Sequence, residues 1–196
     1  MHPILIQTIA ALTDGSQPRP MAADLVTALL ETEQGFRKTK ASITYDQLVG
    51  TWQLRFITGT KRSRQQTGVV LGAGRFIPPW LVQIHLSYSQ PDPISELGQV
   101  QNSVSLGPLS MTLTGPTRLW AKTNRLAFDF THMAIQVGNK TLYQQTVRGG
   151  KEQAQAFATQ TLKDQAFFSY FLVEPNSLAA RGRGGGLALW TRLESD

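Results

Sequence analysis

Catalysis requires nucleophiles, acid–base pairs, metal ligands or phosphate cradles, and this 196-residue chain is poor in all four. It has three histidines, His2, His85 and His132, and no cysteine. Without cysteine there is no disulfide, no thiolate nucleophile and no Cys metal site. His2 lies at the start of the chain, His132 at the end of a strand, and His85 on the polar face of an alternating segment. No His-x-x-x-His or His/acid spacing supplies metal ligands, so neither a metal nor a cofactor is expected. Asp129, beside Arg125, reads as a solvated pair on an outward strand face. No Gly-x-Ser-x-Gly elbow is present, although a triad need not be close in sequence. Nothing marks catalysis, and a non-enzymatic protein is expected.

The stretch "ARGRGGGLALWTR", Ala180 to Arg192, offers the other chemistry to be weighed. Its glycines are Gly182, Gly184, Gly185 and Gly186, whereas a dinucleotide loop needs Gly-x-Gly-x-x-Gly and position 187 is Leu. The following "LALWTRLESD" alternates, with no helix N-terminus for a phosphate, and a Gly-Lys-Ser/Thr ending is absent. An RNA-binding RGG segment repeats in a flexible chain; this one occurs once, between apolar strands. No nucleic-acid partner is expected. The glycines read as the bend into a last β-strand, with Arg181 and Arg183 at its rim.

The net charge of +6 and the pI near 9.9 favour acidic partners. The densest basic clusters are "RKTK" at Arg37 to Lys40 and "KRSR", containing Lys61, Arg62 and Arg64. Both fit solvated loops, or a surface that docks on anionic lipid or protein. No apolar run reaches the roughly 20 residues of a membrane span. The start "MHPILIQTIAALTDG" has neither the basic region of a secretory signal nor the Arg/Ser bias of a transit peptide. An intracellular, peripheral protein is expected.

The elements that would carry these residues change character along the chain. "PILIQTIAAL" and a second segment, Met21 to about Glu33, have helical periodicity, with Gly35 as the expected stop. From Leu48 the period becomes two. Trp52, Leu54 and Phe56 share one face; so do Trp80, Val82, Ile84, Leu86 and Tyr88. Asn102 and Val104, Met111 and Leu113, and Phe128 and Phe130 follow in later strands. Gly/Pro/Asn turns separate these segments, which predicts an antiparallel sheet closing into a barrel or folding as a sandwich. "GGKEQAQAFATQTLKDQ" fits a short helix or a loop. One domain is expected, helical over 1–45 and β over 46–196.

"LVGTWQLRFITGTKR", "GQVQNSVSL" and above all "FFSYFLVEPNSLAARGRGGGLALWTR" resemble the plastid lipid-associated family, the plant and cyanobacterial fibrillins. The resemblance covers nearly the whole chain and is most specific in its C-terminal block. It implies a mainly β, lipocalin-like antiparallel barrel with two N-terminal helices packed on it. It also implies a protein of photosynthetic membranes and their lipid particles, of cyanobacterial type, on the cytoplasmic side of the thylakoid. The implied partner is an apolar isoprenoid, quinone, carotenoid or fatty acid. The alternatives are a solid-packed scaffold or chaperone for an isoprenoid-metabolism enzyme and, third, an enzyme acting on a lipid or chromophore.

Under that fold the apolar face lines a ligand cavity: Trp52, Leu54, Phe56, Trp80, Val82, Ile84, Leu86, Tyr88, Val104, Met111, Leu113, Phe128 and Phe130. A barrel of about eight strands either fills itself with such side chains or holds one small ligand. Asn102, polar in an apolar row, either satisfies a backbone group or anchors a ligand's polar end. Lipocalin-type barrels lay a last-strand arginine across the first-strand tryptophan, which assigns Gly50, Trp52 and Arg192 to one barrel end.

Overall fold

The computed structural model describes residues 1–39, 41–59 and 74–193. Helix α1 spans Pro3–Thr13, its first turn capped by the His2 imidazole, which accepts from the Ile4 N–H at 3.2 Å. Helix α2 spans Ala22–Thr39 and runs straight through Gly35. A mid-helix glycine costs only about 1 kcal/mol against alanine. The packing of Phe36 and the buried ion pair of Glu33 lie on this part of the helix and outweigh that cost.

The strands are β1 (Gly50–Ile57), β2 (Arg75–Phe76), β3 (Gln83–Tyr88), β4 (Gly98–Leu106), β5 (Leu109–Trp120), β6 (Arg125–Phe128), β7 (His132–Val137) and β8 (Lys140–Thr146). Helix α3 (Gly150–Phe157) occupies part of the Gln/Ala-rich segment, and β9 (Ala166–Glu174), β10 (Ser177–Gly182) and β11 (Leu187–Arg192) complete the chain. Eight of these strands close an antiparallel ring in the order β1, β3, β4, β5, β6, β9, β10, β11 and back to β1. Strand β5 closes it with a divided edge. One side pairs with β4 along its length; the other pairs first with β7 (Leu109–Thr114) and then with β6 (Thr117–Trp120). Strands β7 and β8 therefore leave the ring and extend the sheet outward as a flap.

Two cores share the barrel wall. Inside are Trp52, Leu54, Leu86, Tyr88, Tyr170 and Trp190, none more than 7% exposed. Outside, Leu5, Leu12, Leu25 and Leu29 of the helices cover Phe56, Phe171, Leu187 and Leu189. The small residues Ala179 and Ala180 of β10, both fully buried, belong one to each core.

Phe56 changes side because β1 carries a bulge. Leu54 lies opposite Trp190 and Phe56 opposite Leu189, leaving Arg55 as the extra residue. One added residue reverses every later side chain on a strand. The expectation that Phe56 lines the interior is thus corrected: it packs beneath the helices, edge-to-face with Phe76.

Candidate functional site

Directly opposed residues in an antiparallel sheet point to the same face, so register identifies the rows that line the interior. Beyond the buried Tyr88–Val100 pair, one row runs Trp52, Leu86, Asn102, Leu113, Met133 across β1, β3, β4, β5 and β7. The next runs Ile84, Val104, Met111, Ile135, Tyr143, reaching β8. A third contains Leu106, Leu109 and Val137. Exposure rises along this progression, from 0% at Trp52 to 36% at Met111 and 53% at Leu106. The opposite face holds His85, Ser87, Ser103, Ser105, Ser110 and Thr112. One sheet is therefore apolar within and Ser/Thr-rich without, and its apolar face continues from the barrel onto the flap.

The inner end of this surface is a filled floor. Phe168 stacks on Phe128 at 5.0 Å and meets Trp190 at 5.4 Å, with Phe130 tilted against Phe128. Such aromatic pairs contribute about 1 kcal/mol each beyond their burial. The Tyr88 and Tyr170 hydroxyls hydrogen-bond to each other at 2.8 Å in full burial. Burial raises both phenols above their ordinary pKa, so neither ionises near neutrality. The outer end is an open apolar apron, with Asn102 at the seam. Its Oδ1 is buried and has no hydrogen-bond partner among the described residues, so the side chain does not satisfy the backbone through that atom.

At the barrel's closed end the Arg192 guanidinium lies 4.0 Å from the Trp52 ring centre. Its Nη1 donates to the Val49 carbonyl at 3.0 Å, and Trp52 donates to the Leu48 carbonyl at 2.7 Å. Gly50, at φ +126°, has the conformation and the missing Cβ that this approach requires.

Several expected positions fall elsewhere. Trp80 is 79% exposed, not interior, and Val82 precedes β3. Pro78 and Pro79 break the alternation, and Leu81 and Val82 both donate to the Pro78 carbonyl at 3.1 Å in a turn. Arg181 and Arg183 are not bare rim charges. Arg181 grips Glu33 and the Gly185 carbonyl; Arg183 donates to the carbonyls of Lys163 and Gln165. Lys40, Lys61, Arg62 and Arg64 lie outside the described residues. Asp129 is 8% exposed and accepts from Arg148 and Gln153, whereas Arg125 lies 5.0 Å over the Phe167 ring. His85 is half-buried, which lowers its pKa and favours the neutral ring.

Among the described residues no three His, Asp or Glu side chains converge to hold a metal, and no helix is long and apolar enough to cross a membrane. The chain has an eight-stranded antiparallel barrel with two N-terminal helices packed against it and extra outer strands. No family model and no curated protein matches it. Among solved structures it is similar to a redesigned β-barrel at 13% identity, covering 79% of this chain and 100% of that one with a TM-score of 0.36. It is likewise similar to apo lipid binding protein 8 of Caenorhabditis elegans at 10% identity, covering 78% and 100%, also with a TM-score of 0.36. The barrel itself is defined by its strand pairings.

Proposed function

We propose that the chain is a non-enzymatic carrier of an apolar ligand, bound on the apron above the filled floor. The reading rests chiefly on Asn102, whose unpartnered oxygen sits where the packed interior gives way to half-exposed apolar rows. A ligand with one polar donor and a hydrocarbon body would satisfy that oxygen and cover Val104, Met111 and Leu113. Among isoprenoids, quinones, carotenoids and fatty acids, those that carry a hydroxyl have this form: a prenyl alcohol, the reduced quinol, a hydroxylated carotenoid or a protonated fatty acid. The "GTWQLRF" strand and the "ARGRGGGLALWTR" hairpin resemble those of the fibrillins, which supports a reading in which the protein works at thylakoid membranes or lipid particles.

Peripheral contact with such a surface is supported by the outer edge of the apron. The 78–82 turn carries Trp80 and Leu81, 79% and 58% exposed, and precedes β3 at the end where Gln83 faces Ser105. The β4–β5 and β7–β8 turns are tied there by the Gly138 N–H on the Pro108 carbonyl at 2.8 Å. Exposed Trp and Leu side chains suit a lipid interface. Native mass spectrometry of protein purified from its host, with organic extraction, tests the carrier reading. A stoichiometric isoprenoid or acyl species is expected; protein free of any such species rejects it.

The filled floor favours a second reading, a scaffold for an isoprenoid-metabolism enzyme. Retention of that enzyme in pull-downs after Val104→Phe and Leu113→Phe, with no extractable ligand in the parent protein, would select it.

A further inference from the structure

A second surface, outside the barrel, has the character of an anion site. Two adjoining clefts of about 560 Å³ each run between α2, the start of β6, β9 and the β10–β11 turn. Their walls carry five cations, Arg37, Lys122, Arg125, Arg181 and Arg183, and one carboxylate, Glu33.

That carboxylate is already spent. Glu33 is 6% exposed and accepts from Arg181 Nε at 2.9 and 3.1 Å, from Arg181 Nη2, and from Arg37 at 2.8 Å. Burial pushes its pKa up, but the bonds and charges of the two arginines prevail and hold it below the ordinary value. Arg181 and Arg183, bonded to Glu33 and to backbone carbonyls, are thus wall rather than ligand.

Arg125 and Lys122 remain. Neither bonds to a carboxylate or carbonyl among the described residues. Arg125 is stacked on Phe167 at 5.0 Å. Lys122 sits in the turn before Asn124, whose side chain accepts from the Ile43 N–H at 2.8 Å and donates to the Ala41 carbonyl at 2.7 Å. Ser169, paired across the sheet with Arg125, adds a hydroxyl on the cleft wall.

A guanidinium, an ammonium and a hydroxyl facing one cleft, with no free counter-charge among the described residues, match a dianion better than a single carboxylate. We propose that this cleft binds a phosphate-bearing ligand, either a soluble phosphoester or pyrophosphate or the headgroup of a phospholipid. The site uses side chains of β6 and β9 and the turn before them, not a glycine nest.

Calorimetric titration of the intact protein with pyrophosphate, and flotation with phosphatidylcholine vesicles with and without phosphatidic acid, separate the two sources. Binding of either probe is expected to weaken with added salt, and at least tenfold in Lys122→Gln and in Arg125→Gln. Pyrophosphate binding assigns a soluble ligand; binding only to phosphatidate vesicles assigns a headgroup. Lys122 is exposed and untied, so its variant keeps the test independent of folding. Failure of both probes to bind, or affinity unchanged in Lys122→Gln, overturns the proposal.

Discussion

Arg192 covers Trp52 face-on, its guanidinium carbon 4.0 Å from the ring centre, at the register position where β11 pairs with β1. The same guanidinium donates to the carbonyls of Val49 and Pro175, so at this end of the closing seam one side chain ties the entry to β1 to the β9–β10 turn. Gly50 leaves room for it; a Cβ at that position would run into the guanidinium.

Arg192→Ala is expected to destabilise the protein by about 2 kcal/mol, from a desolvated cation–π contact and lost carbonyl bonds. For a chain of this size that is a melting shift of roughly 6 °C. Calorimetry and tryptophan emission, which should move to the red, provide the check. Gly50→Ala should destabilise as well, while Arg192→Lys recovers part of the loss.

The Tyr88–Tyr170 pair predicts an alkaline limit. Both phenols are raised in the folded protein by burial, so below the ordinary value of about 10 they are protonated in both states and stability is complete. Above it only the unfolded chain releases these protons, and stability falls with rising pH. Phenolate absorbance from the buried tyrosines should therefore appear together with loss of circular dichroism. Tyr88→Phe should cost about 1 kcal/mol, because the Tyr170 hydroxyl then loses its partner.

Glu33 predicts the acid side. Its folded pKa is depressed, so its contribution is complete above the unfolded value of about 4.3 and is lost as pH falls through the folded one. Glu33→Gln should destabilise by about 3 kcal/mol at neutral pH, since it leaves Arg181 partly buried and unpaired. It should also flatten the acid limb of the stability profile measured by urea denaturation.

Asn102→Leu should separate stability from binding. Removing the unpartnered oxygen is expected to stabilise the fold by about 1 kcal/mol. The same change should weaken retention of a ligand whose polar end donates to that oxygen, read as the ligand recovered per protein after extraction. A loss of stability with retention unchanged would place Asn102 in a purely structural role.

Trp80→Glu should leave the melting temperature unchanged, because the side chain is 79% exposed. Flotation with lipid vesicles should fall by about tenfold, the equivalent of losing one inserted aromatic ring.

Period-two patterning located β1, β3, β4, β5 and the strand ending in Phe128 because large apolar residues alternate along each with polar or small ones. It failed where alternation stopped carrying information. Trp80 keeps parity with Ile84 in the sequence, but Pro78 and Pro79 put it in a turn. Strand β10, "SLAARG", is buried on both faces and has small residues, so it has no contrast to read. The Trp52–Arg192 pairing was legible from the resemblance of the two end strands. Asn102 was legible as the polar residue of an apolar row. The phosphate cleft was not, because Ser169 is remote in sequence from Lys122 and Arg125 and only the strand pairing brings it beside them.

The bulge at Arg55 fixes the smallest piece of this chain that can stand alone. Beyond it β1 turns Phe56 to the outer side, where Leu187 and Leu189 of β11 also lie. A barrel cut out without residues 1–39 would wear these side chains, with Phe171, as a greasy stripe and would self-associate. The helices are thus the outer coat of a wall that is apolar on both sides, and dissection of the molecule should begin downstream of neither.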